Sequence, residues 1–253
     1  MPEHGIVSGY YVYGVVAAED IPDEECLGVG GAAVEYVVDG PLAAVVSGLE
    51  ETEEGSLRAD LMAHTSVLEW LAERTTVVPI VFGTIVDDAK TAAESILTPG
   101  AELLVDLLES LRGTAQFNLR GIYHRDQVLS EVIRADPTLA ELSRRTRDLP
   151  PGQPHPELIR LGEGVSGALE RQKAEDSQLV LSAVEPYVVD LRERAGGDMD
   201  LALNVALLVP AGRRHDVERT LEELAEDQQE RLRLQLTGPF PPYDFVEEAS
   251  WGS

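Results

Sequence analysis

The tripeptide Asp39-Gly40-Pro41 separates two β-branched runs, Ala33 to Val38 and Leu42 to Ser47. It is the strongest local constraint in the chain. A turn signal this short between two strand-forming segments folds them back on each other, so the first part of the chain builds an antiparallel hairpin. Tyr10 to Ala17 (YYVYGVVA) is β-branched and aromatic and reads as a strand available to the same sheet. Between them lies an acidic loop with Gly28, Gly30 and Gly31.

Helical periodicity follows. Leu57, Leu61, His64, Leu68 and Leu71 recur at spacings of three and four, which predicts a helix over Leu57 to Arg74 capped by Ser56. Thr76 to Val86 (TVVPIVFGTIV) predicts a buried strand in which Pro79 demands an edge, a bulge or an interruption. Asp87 and Asp88 suit the start of the next helical region, which Pro99-Gly100 divides in two. Its second piece carries a stripe of Leu103, Leu104, Leu107, Leu108 and Leu111. Gly113 opens a strand from Thr114 to Tyr123, and polar helices extend from Arg125 to about Asp148. Pro150, Pro151, Pro154 and Pro156 mark a loop before a long helical region, Glu157 to Arg194, ended by Gly196-Gly197. Leu201 to Val209 reads as a buried strand, Val217 to Glu226 as a short helix, and Arg231 to Leu236 (RLRLQL) as a half-buried strand. The expected class is α+β in two domains, residues 1–112 and 113–253.

Charge narrows the partners. Asp and Glu total 46 against 20 Lys and Arg, a formal net charge of -26. Such a surface repels phosphate backbones and anionic lipids, so neither nucleic acid nor membrane is an expected partner. No segment approaches the roughly 20 apolar residues of a membrane helix. The start lacks a signal-peptide pattern, and Cys26 is the only cysteine. These features predict a cytoplasmic, reduced protein without a disulfide.

Catalytic signatures are missing. There is no phosphate-binding GxxxxGK[ST], no H-E-x-x-H and no nucleophile elbow. Gly162, Gly164 and Gly167 match G-x-G-x-x-G, but the preceding residues from His155 look like a helix start. The small residues then serve close helix packing. His64 is the only one of five histidines on an apolar helical face, with Asp60 one turn before it. Asp198 and Asp200 are explained by a turn, and no metal or cofactor is expected. Acidic neighbours blunt the reactivity of Cys26.

Three segments together resemble the gas vesicle protein F/L family: YYVYGVV (Tyr10–Val16), HTSVLEWLAERTTVVPIVFGTIV (His64–Val86) and LTGPFPPYDF (Leu236–Phe245). The signature positions are Pro79, Phe82, Gly83, Thr84, Gly238, Pro239, Pro241, Pro242 and Tyr243. As backbone-shaping and packed types they are expected to be structural. Phe240 and Ile80 stand where tryptophan and leucine are common in the family.

The resemblance implies two α+β domains, the second a modified ferredoxin-like one, with no enzymatic activity and no cofactor. It also implies an assembly factor or minor vesicle component that binds the hydrophobic major structural subunit of the shell, limits its aggregation and assists nucleation. Other gas vesicle assembly proteins are further expected partners. An acidic carrier with an exposed apolar patch or sheet edge fits that role physically. The N-terminal domain, whose strands are flanked by Glu19 to Glu25 and Glu50 to Glu54, is the expected docking surface. The competing reading is a small-molecule enzyme or sensor whose site on the ferredoxin-like domain is assembled from distant residues. A third is a structural member of the vesicle wall.

Overall fold

A computed structural model describes residues 7–50, 56–147, 155–196, 200–228 and 230–246. His4, Glu51, Glu53, Glu54, Asp148, Pro150, Pro151, Pro154, Gly197, Asp198 and Met199 lie outside these residues. The chain divides into two compact units. The first comprises residues 1–116 together with 238–253, and the second residues 117–237. The sequence reading ran the second domain from 113 through the C-terminus. In the structure the last segment groups with the first unit instead.

The first unit is organised around β1 (Val7–Ala17). The predicted hairpin forms from β2 (Val34–Asp39) and β3 (Leu42–Glu50), with Asp39 opposite Leu42 and Gly40 at φ 58° in the turn. β1 adds antiparallel to β3, with a register shift between Val12 and Gly14. That extra residue explains why Tyr11, Tyr13 and Val16 share one core cluster despite the odd spacing of the last two. Gly14 is required by close approach, since a Cβ there would lie 2.7 Å from the Val78 carbonyl oxygen.

α1 (Leu57–Ala72) starts where expected, with the Ser56 side chain accepting the Ala59 N–H at 3.1 Å. Its Val67, Leu68 and Leu71 join the cluster of Tyr11 and Tyr13. The predicted strand over Thr76 to Val86 is interrupted. β4 (Val77–Pro79) and β5 (Ile85–Val86) both pair with β1, and a turn lies between them. Pro79 and the positive φ of Gly83 (88°) break the extended run. The sheet order is β2-β3-β1-β4, with β5 also on β1. Asp88 caps α2 (Ala89–Ala92), a π-helical turn continues it to Leu97, and α3 (Ala101–Leu111) begins after Pro99-Gly100. α3 buries Leu104, Leu108 and Leu111, whereas Leu103 is 50% exposed. The stripe is thus narrower than the five leucines suggest.

The second unit is built from β6 (Thr114–Tyr123), α4 (Arg125–Ala135), α5 (Pro137–Thr146), α6 (Pro156–Val184), β7 (Asp190–Glu193), β8 (Leu201–Pro210), α7 (Arg214–Gln228) and β9 (Leu232–Phe240). The strand order β7-β8-β6-β9 with helical crossovers after the first and third strands is the ferredoxin-like β-α-β-β-α-β arrangement. The modification is the helix pair α4–α5 ahead of α6. The long helix ends at Val184 rather than near Arg194, because a 3-10 turn containing Pro186 redirects the chain into β7, antiparallel to β8. β9 likewise runs beyond Leu236, through a cis Gly238-Pro239 bond. G-x-G-x-x-G lies wholly inside α6, where a Cβ on Gly164 would meet Leu139 of α5 at 2.5 Å. Of the three glycines only Gly164 serves close helix packing, since Gly162 has open space where its Cβ would be.

Candidate functional site

Two tyrosines on β1 and one histidine on α1 create the first candidate site. Tyr11 and Tyr13 point to the same face of β1, and His64 reaches them from α1 at 3% exposure. The His64 ring stacks on Tyr13 with centroids 5.7 Å apart and meets Phe82 edge-on at 5.5 Å. Its Nδ1 is 3.1 Å from the Tyr11 hydroxyl, which also accepts the Gly83 N–H at 2.9 Å. The Tyr13 hydroxyl accepts the Val29 N–H at 2.7 Å and pairs with Ser47 Oγ at 2.7 Å. Burial pushes the His64 pKa down to about 4, so the imidazole is neutral at pH 7. Burial also raises both tyrosines, Tyr11 against the pull of its Gly83 hydrogen bond.

This neutral network immobilises the signature turn. Ile80 N–H donates to Tyr13 O at 2.9 Å, and Val12 N–H donates to Thr84 O at 2.9 Å. The Thr84 hydroxyl closes on Val81 O at 2.8 Å. Pro79 is buried at the end of β4, Phe82 packs partly against the core, and Gly83 supplies the left-handed φ. The same geometry turns Val81 and Ile85 outward, at 66% and 58% exposure. The unit therefore presents two β-branched apolar side chains on a turn tied to the sheet. β5 pairs only with β1 among the described strands, so its other edge carries no strand there.

The second signature segment closes the first unit from its other end. Gly238 and Pro239 lie in β9, Pro241 and Pro242 are buried, and Tyr243 begins a 3-10 turn ending at the buried Phe245. Gln116 clamps this turn: its Oε1 accepts the Asp244 N–H at 2.9 Å, and its Nε2 donates to the Asp244 carboxylate. Desolvation, then the charges of Glu69 and Tyr11, push the Tyr243 hydroxyl up to about 12.

A charged cluster occupies the second unit. Asp176 on α6, 4% exposed, accepts from the Tyr123 hydroxyl at 2.7 Å and from Arg231 at 2.7 Å. Gln172 adds a donor at 3.2 Å, and Glu131 lies 3.6 Å from Arg231. Burial, then the hydrogen bond to the carboxylate, strongly raises the Tyr123 pKa. Beside it is a cavity of about 360 Å³ lined by Tyr123, Arg125, Val165, Glu170, Lys173 and Asp200 among others.

His64 lies buried on the apolar face where the helical periodicity puts it, and Tyr11 is its hydrogen-bond partner. The sequence reading missed the Asp176 cluster altogether, although Tyr123 closing a strand and Asp176 within a helix offered the raw signal. Among the described residues no group of three or more His, Cys, Asp or Glu is placed to hold a metal. No described helix is long and apolar enough to cross a membrane.

The buried His–Tyr network and the turn it holds fall within a family match that spans both units. Residues 9–247 match the family model described as gas vesicle synthesis protein GvpL/GvpF. The chain belongs to this family. It is 31% identical to gas vesicle protein F of Streptomyces sp. (strain CB03234), over 94% of this chain and 99% of that protein. It is 27% identical to gas vesicle protein F of Haloferax mediterranei, over 94% and 92%. The fold is similar to the crystal structure of GvpF from Anabaena sp. PCC7120, with a TM-score of 0.82, 22% identity and coverage of 96% and 99%. It is also similar to that of GvpF from Microcystis aeruginosa, with a TM-score of 0.77. As a GvpL/GvpF member the chain is a gas vesicle-related protein, with the mixed α+β fold expected from its sequence.

Proposed function

We propose that this chain is a gas vesicle assembly protein that binds the hydrophobic major shell subunit, limits its aggregation and assists nucleation. It works in the cytoplasm and at the growing vesicle, and its first unit is the docking surface. The observation that carries this reading is the outward pair Val81, on the turn, and Ile85, on β5, beside a strand edge that pairs with no other described strand. An apolar strand edge on a rigid support can pair with an aggregation-prone strand of another chain. The net charge of -26 then keeps the complex apart from other complexes.

Co-expression with the major shell subunit tests the reading. The soluble, co-purifying fraction of that subunit rises with this chain. It falls back in the double variant Val81→Asp/Ile85→Asp, whose own stability changes by only about 0.5 kcal/mol because both side chains are exposed. Equal aggregation of the subunit with and without the chain abandons the reading.

A small-molecule site is the second reading, and one observation favours it: titratable Arg125, Lys173, Glu170 and Asp200 converge on the cavity beside Tyr123. A metabolite panel that raises the melting temperature of the wild type, but not of Lys173→Ala, supports it.

A further inference from the structure

The first unit holds a second concavity that neither the network nor the exposed turn uses. It encloses about 250 Å³ between the end of α1, the start of β4 and the C-terminal segment. Its apolar lining includes Val77, Leu111, Pro239, Phe240 and Pro242, so the second signature segment forms one of its walls. Glu69 and Glu73, one helical turn apart on α1 and just beyond it, supply its charge. Arg74 lies beside this pair and does not fill the pocket. Its guanidinium lies over the Trp70 ring at 4.6 Å, donates to the Trp70 carbonyl at 3.0 Å and meets Glu73 at 3.2 Å. Glu69 has no ion pair among the described residues. Thr75, also in the lining, has a buried hydroxyl without a partner.

We propose that this pocket seats an arginine or lysine side chain from a basic segment of a partner protein. The chemistry is that of an amphipathic cation. The proline and phenylalanine wall takes the methylene stem, and the Glu69 carboxylate takes the head group, with Glu73 beside it already shared with Arg74. Charge complementarity selects this occupant over an anionic or neutral one. The pocket has acidic side chains and no basic one in its lining, on a chain with 46 acidic residues against 20 basic. The inference rests on the assembly reading for the existence of a partner, and on the pocket alone for its chemistry.

The test uses the full chain, isotope-labelled, titrated with the blocked peptide acetyl-Gly-Arg-Gly-Arg-Gly-amide and its citrulline counterpart. The arginine peptide shifts the amides of Thr75, Thr76, Thr114 and Ala115 saturably, and the citrulline peptide does not. Affinity falls about fivefold in Glu69→Gln, the scale of a partly exposed ion pair. It falls likewise in Ala72→Trp, which plugs the mouth while leaving both carboxylates. Equal shifts with citrulline, shifts spread over other acidic segments without these four amides, or unchanged affinity in Glu69→Gln overturn the proposal. A dimer that dissociates in Glu69→Gln also overturns it, by naming a second copy as the occupant. If the shell subunit aggregates regardless while the arginine peptide still binds, the assembly reading falls and the pocket stands. If Glu69→Gln keeps the subunit soluble and loses nothing in peptide affinity, the pocket falls and the assembly reading stands.

Discussion

The two units bury polar groups in opposite ways. In the first, Tyr11, Tyr13, His64 and Ser47 form a network with no formal charge, because burial keeps the imidazole neutral. In the second, Asp176 is a buried carboxylate answered by the Arg231 guanidinium, with Tyr123 and Gln172 filling its remaining acceptor sites. A neutral network loses one hydrogen bond at a time. A charged one fails as a whole, since removing either partner strands a charge. The first arrangement suits a turn whose exposed face is tuned independently of the core. The second suits a structural joint between a long helix and two strands.

The largest expected effect breaks the charged joint. Asp176→Ala leaves Tyr123 without its acceptor and Arg231 with only Glu131 and Gln228, and costs about 3 kcal/mol, the low end for a broken buried pair, read as a lower midpoint in urea. Replacing the pair together, as Asp176→Leu/Arg231→Met, recovers most of that loss.

Next comes acid. His64 is neutral in the folded chain down to about pH 4, whereas the unfolded chain protonates it near 6.5. The unfolded state therefore binds more protons between those values. Stability is full above about pH 6.5 and falls as pH drops toward 4, by about 3 kcal/mol. Trp70 lies in α1 and packs against the core of the first unit, so its fluorescence follows that unit. The difference between wild type and His64→Gln isolates this contribution from the other titrating groups.

Tyr13→Phe is smaller. It strips Val29 N–H and Ser47 Oγ of a shared partner, at a cost of about 2 kcal/mol in the same urea measurement. Tyr11→Phe is smaller again, about 1 kcal/mol, because of the two groups it frees, His64 Nδ1 and the Gly83 N–H, only the first is buried. Faster amide exchange at Gly83 and Thr84 marks that variant, and it sharpens the comparison by loosening the turn without unfolding its unit.

Much of this architecture was legible because it is local. Asp39-Gly40-Pro41 carries its hairpin, Ser56 its helix start, and Pro99-Gly100 its helix break. Each rests on residues within a few positions of one another. Thr76 to Val86 carries its own warning in Pro79, and the strand does break there and at the left-handed Gly83. The error arose where a local pattern was continued too far. Glu157 to Arg194 keeps helical composition beyond Val184, although Pro186 ends it. The buried clusters were out of reach for a different reason. His64 is 53 residues from Tyr11, Asp176 is 53 from Tyr123, and Arg231 is 55 from Asp176. No periodicity links partners at such separations. Only the burial of His64 on an apolar face announced that it needed one.

The division of the chain has a consequence for the order in which the molecule is made. The first unit is discontinuous: residues 238–253 complete it only after all of 117–237 has been synthesised. Pro239, Phe240 and Pro242, which wall the acidic pocket, leave the ribosome after both sheets have received nearly all their strands. A nascent chain thus exposes the turn of Val81 and Ile85 long before it owns a finished pocket. A chain that stalls short of Gly238 carries the early surface without the late one.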